Sequence, residues 1–142
     1  MMRTFLVVAV LAAMPALAET DVKDLYDVST EGTSTSVKAG EKGTVVIAFK
    51  TKGAAHVSDE APLKIELSGK DVKLDKAKLT LADSVAKKED GGKAVPDPRF
   101  EVGFSAAAKG RVTVDAKLTF FICTDKICAR QTKSLSLPVD VQ

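Results

Sequence analysis

Apolar and polar residues alternate with a period of two in six separate stretches of this chain, and that pattern limits its fold more than any other feature. Val45, Ile47 and Phe49 are interleaved with Val46, Ala48 and Lys50. Leu63, Ile65 and Leu67 are interleaved with Lys64, Glu66 and Ser68, and Leu79 and Leu81 follow Lys78 and Thr80. Phe100, Val102 and Phe104 alternate with Glu101, Gly103 and Ser105. Val112 and Val114 lead into Leu118 and Phe120, and Leu135, Leu137 and Val139 come near the end. Side chains on a strand point to opposite faces in turn, so each stretch predicts a strand with one buried face.

Turn signals separate these stretches: Ala39-Gly40-Glu41-Lys42-Gly43, Ser68-Gly69-Lys70-Asp71, Asp90-Gly91-Gly92-Lys93 and Lys109-Gly110. Asp97-Pro98 marks the entry to the Phe100 stretch, and residues 31–36 and 86–98 read as surface connections. A short helical turn is expected over residues 81–88; no stretch keeps a 3.6-residue period over ten residues. Seven to nine short strands at regular spacing predict an all-β fold, an immunoglobulin-like antiparallel β-sandwich, with a closed barrel as the alternative. The core is aliphatic. It has no tryptophan and no second cysteine pair to supply the inter-sheet bridge of antibody domains.

The amino terminus has the order of a secretory leader. Arg3 is its positive start, the run from Phe5 to Ala13 is apolar, Pro15 breaks that run, and Ala16-Leu17-Ala18 is a small-x-small cleavage site. Cleavage is expected after Ala18, leaving residues 19–142 as one domain exported to a compartment where disulfides persist. The apolar run is too short to span a bilayer, so no stable membrane insertion is expected. Arg3 leaves with the leader, so 21 − 1 = 20 basic residues face 19 acidic ones. That balance gives no electrostatic case for nucleic acid.

Cys123 and Cys128 are the only cysteines, in the run Phe120-Phe121-Ile122-Cys123-Thr124-Asp125-Lys126-Ile127-Cys128. Strand-like sequence flanks them, and Thr124 to Ile127 fits a four-residue hairpin loop. Directly opposed strand residues lie close enough for a disulfide. Such a bridge closes a loop of about six residues and contributes roughly 2 kcal/mol by chain entropy. Two readings stay open: a redox-active pair, or a staple in a non-enzymatic secreted immunoglobulin-like binding or assembly module. Metal binding is a weaker third. His56 would be the third ligand, and nothing in the sequence brings it near the thiols; no zinc-type second Cys or His pair exists. Lys126 and Arg130 bracket Cys128 and would favour a thiolate there, while Asp125 opposes it. His56, the only histidine, is a candidate proton acceptor.

The run from Phe121 to Gln131, followed by Leu135-Ser136-Leu137-Pro138-Val139, resembles the amino-terminal periplasmic domain of the thiol:disulfide interchange protein DsbD and its stand-alone relatives. Ala55-His56-Val57-Ser58-Asp59-Glu60-Ala61-Pro62-Leu63-Lys64-Ile65 is similar to that family's His-containing segment before its next strand. The likeness runs from about residue 43 onward. It implies an immunoglobulin-like sandwich in which Cys123 and Cys128 alternate between dithiol and disulfide without a cofactor. It implies that Cys128 forms the mixed disulfide and Cys123 resolves it. The implied partners are thioredoxin-like periplasmic oxidoreductases or a membrane electron donor, and the reductant is expected from another protein. It also implies a cap over the cysteines, matched here to residues 56–60, with His56 and Val57 as the covering side chains.

Overall fold

The computed structural model describes residues 21–86 and 96–142. The expected leader, residues 1–18, and the middle of the 86–98 connection lie outside the described residues. A 3-10 turn, Val22–Leu25, leads into β1 (Tyr26–Ser29). Then follow β2 (Ser36–Val37), β3 (Lys42–Thr51), β4 (His56–Val57), β5 (Lys64–Ser68), β6 (Lys73–Leu74) and β7 (Lys78–Leu79). After a second 3-10 turn, Leu81–Asp83, come β8 (Arg99–Ser105), β9 (Gly110–Cys123) and β10 (Cys128–Val141). Of the helical turn expected over residues 81–88, the described part shows this 3-10 turn; residues 87 and 88 lie outside the described residues. Asp83 caps it by accepting the backbone N–H of Thr80.

The described strands make two separate sheets and not a closed barrel. One has the order β1-β3-β8-β6; the other has the order β2-β10-β9-β5-β7, with β4 also paired to β9. All pairings are antiparallel except β2 with β10. Ten strands are described, more than the seven to nine expected, because β2, β4, β6 and β7 are two-residue pieces too short to show a period.

The inward faces are the ones the alternation marks. Val45, Ile47, Phe49, Phe100, Val102 and Phe104 from one sheet meet Ile65, Leu67, Val114, Leu118, Phe120 and Val139 from the other in a single core. This is the face-to-face packing of an immunoglobulin-like sandwich. Phe120 joins the sheets near the cysteine end. Its ring meets Phe49 edge-on at 4.8 Å and Tyr26 at 5.2 Å between centroids, a favoured aromatic arrangement.

Val46 breaks the inward-outward rule: it is 3 % exposed although its neighbours in β3 face the core. The turn at Gly32 folds over it, and the Thr33 hydroxyl both accepts from the Val46 N–H and donates to the Val46 carbonyl. At Gly43 the packing is so close that a Cβ would lie 2.6 Å from Phe104, its neighbour in the same sheet, and 2.7 Å from Val37 of the other sheet.

Candidate functional site

The cysteines end the longest ladder in the molecule. β9 and β10, 14 residues each, pair from Gly110 with Val141 to Cys123 with Cys128. The turn between them is held by Thr124. Its N–H donates to the Ile127 carbonyl at 2.7 Å, and its hydroxyl accepts from the N–H groups of Lys126 and Ile127, both at 3.3 Å. A threonine here lets a four-residue loop close using local side-chain bonds.

Cys123 and Cys128 are joined in a disulfide with their Cα atoms 4.0 Å apart. The Thr124–Ile127 bond sets the ladder's alternation. Residues 124 and 127 are a hydrogen-bonded pair, so 123 and 128 are the closer, non-hydrogen-bonded kind. The backbone of Cys123 therefore turns toward β4 and that of Cys128 turns outward. The same parity appears at the far end of β10, where Asp140 and Gln142 donate their N–H groups away from β9, to Thr35 and Val37.

On the other side of Cys123 stands His56. β4 pairs His56 with Cys123 and Val57 with Ile122, and Ser58 N–H continues the pairing to the Phe121 carbonyl at 2.9 Å. Directly opposed residues of a ladder project to the same face. His56, Cys123 and Cys128 thus form one row across three strands, on the face opposite the core residues Leu118, Phe120 and Ile122. No spacing along the chain brings His56 near the pair, and only the resemblance set it over the cysteines; the register of β4 puts it opposite Cys123.

Exposure along this row is graded. Cys123 is 4 % exposed, His56 is half-buried and Cys128 is exposed. Cys123 lies in a strand flanked on both sides, whereas Cys128 begins β10. Among the described residues, β2 covers the outer edge of β10 only at Asp140 and Val141. Ile127, beside Cys128, is an exposed large apolar residue at 51 %.

The other expected site residues divide. Lys126 sits exposed at the turn, next to Asp125. Val57 does not cover the sulfurs: it is 1 % exposed and lies opposite Ile122, so it belongs to the core. The one-residue step from His56 to Val57 flips the side chain to the other face, which corrects the expectation that both would form a cap. Ser58 is buried and accepts the N–H groups of Glu60 and Ala61, tying the chain into a turn as it leaves β4.

Tyr26 was not singled out from sequence, yet it braces β10 next to the site. Its hydroxyl donates to Gln131 Oε1 at 3.2 Å, and the Gln131 amide donates to the Arg130 carbonyl at 3.0 Å. Burial, with a smaller contribution from Asp21, pushes the Tyr26 phenol above its ordinary range.

No family model and no curated protein matches the chain. Among solved structures, it is similar to domains 4 and 5 of the S-layer protein SbsC, at 15 % identity and a TM-score of 0.44, over 82 % of this chain and 51 % of that one. A lipoprotein from Bacteroides thetaiotaomicron gives 13 % identity and a TM-score of 0.49, over 94 % and 85 %. A conjugative transposon lipoprotein from Bacteroides eggerthii gives 11 % and 0.43, over 80 % and 93 %. The chain spans about half the length of the S-layer fragment. The fold assignment rests on the strand order and register described above.

Proposed function

We propose that this chain is an exported thiol:disulfide carrier, a relative of the amino-terminal domain of DsbD, working in a periplasm. The observation that carries the reading is the asymmetry of the bridge. One sulfur belongs to a 4 % exposed residue paired on both sides, and the other to an exposed residue at the end of β10 that β2 does not reach. Thiol–disulfide exchange needs a thiolate to reach one sulfur in line with the bond. Cys128 offers that access and Cys123 does not.

A partner thiolate attacks Cys128 Sγ, the S–S electron pair leaves on Cys123, and a mixed disulfide forms at Cys128. A second thiol then resolves it. The placement of the bridge supports this reading, since it joins the last pair of a ladder already fourteen pairs long and ties no distant segments together. The partners are thioredoxin-like oxidoreductases or a membrane electron donor, and no cofactor is involved.

Equilibration of residues 19–142 in glutathione and dithiothreitol buffers tests the reading. A reduction potential of roughly −120 to −270 mV is expected, the range of exchange proteins. A value below about −300 mV would mark a structural staple. Cys123→Ser should then trap partners through Cys128, and Cys128→Ser should trap none.

A further inference from the structure

We propose that His56 is the proton donor and acceptor for Cys123. The inference rests on the exchange reading above and deepens it by assigning the proton. The row across the sheet runs from the open edge of β10 through Cys128 and Cys123 to His56. Attack on a disulfide is in line, so a thiolate entering at Cys128 drives the electron pair onto Cys123, on the side where His56 stands.

The Cys123 thiolate forms almost without access to water, at a residue 4 % exposed. An anion released at such a site is costly unless a nearby group neutralises it. His56 is the titratable side chain directly opposite Cys123. Imidazole is the side chain that exchanges protons between pH 5 and 8.

The step balances. A partner thiolate, the disulfide and an imidazolium become a partner–Cys128 mixed disulfide, a neutral Cys123 thiol and a neutral imidazole. In the return direction, imidazole takes the Cys123 proton, the Cys123 thiolate attacks Cys128 Sγ, and the partner leaves as a thiolate. Other charged groups lie around the row without being opposite Cys123. They are Asp125 and Lys126 in the turn, Arg130 on β10, Lys64 on β5, and Asp59 and Glu60 after β4.

The test is the rate of disulfide reduction by dithiothreitol, read by acid quench and alkylation and divided by the thiolate concentration at each pH. For the unaltered protein, this normalised rate should rise as pH falls from 8 to 5.5, by on the order of tenfold to a hundredfold. For His56→Gln it should be flat and lower at acid pH, with unfolding in urea unchanged. His56→Ala should recover rate when free imidazole is added.

A flat profile in the unaltered protein would overturn the proposal, as would parallel profiles in the protein and His56→Gln. Dithiothreitol opens the bond whether or not the pair exchanges with proteins. Failure of the carrier reading would therefore appear in the reduction potential while leaving this profile intact.

Discussion

The Tyr26 hydroxyl donates a hydrogen bond to Gln131 Oε1 at 3.2 Å, linking the first strand of one sheet to β10 of the other. Tyr26 is the only tyrosine in the chain, so its ionisation is directly visible by absorbance. Burial raises its folded-state pKa, so the fold holds the phenol neutral. The unfolded chain releases that proton first, above about pH 10. Stability is full below that pH and falls as pH rises from there through the folded value. Urea titrations from pH 9 upward should show this loss, and Tyr26→Phe should remove this contribution. At pH 7, Tyr26→Phe should cost about 1 kcal/mol for the lost hydrogen bond.

Removing the bridge should be tolerated. Cys123→Ala/Cys128→Ala opens a loop of about six residues, so the expected loss is about 2 kcal/mol or less. The β9–β10 ladder and the Thr124 turn bonds hold the hairpin without it. A urea midpoint lowered by much more, with an unchanged slope, would show that the bridge is a major support of the fold and count against the carrier reading.

Neighbouring phenylalanines should differ sharply. Phe120 is fully buried between Tyr26 and Phe49, whereas Phe121 lies on the outward face and is half-buried. Phe120→Ala should cost about 3–5 kcal/mol and Phe121→Ala much less. Equal losses in thermal or urea unfolding would mean that the facing of β9 is wrong by one residue.

Gly43→Ala should destabilise without changing any charge or hydrogen bond. The added methyl group would enter the space held by Phe104 and Val37, both buried. Overpacking of this kind costs about 1–3 kcal/mol. Pairing the change with Val37→Ala should recover part of the loss, a coupling that a double-mutant cycle measures.

Alternation made β3, β5, β8 and β9 legible in the sequence, because Val45, Ile65, Phe100 and Leu118 each belong to runs long enough to show a period of two. The Cys123–Cys128 pairing was legible for a local reason: four turn residues separate two strands. The place of His56 beside the pair was legible only through the resemblance and not from spacing, since β4 has two residues and its partner lies 67 positions away, a pairing set by tertiary structure. Val57 was misplaced for the same reason, since without a register its face is undetermined. Tyr26 escaped notice because Tyr26-Asp27-Val28-Ser29 is too short to separate from a loop. Val46 reads as outward from its spacing and is buried only because the Gly32 turn returns over it.

The length of the β9–β10 ladder gives the molecule two poles. β10 runs fourteen residues of extended chain from Cys128 to Val141, roughly 43 Å end to end. A tether or surface attachment joined after Val141 therefore leaves from the end remote from the sulfurs. Anchored that way, the protein would present its hairpin tip outermost, free to meet a second macromolecule while its base stays fixed.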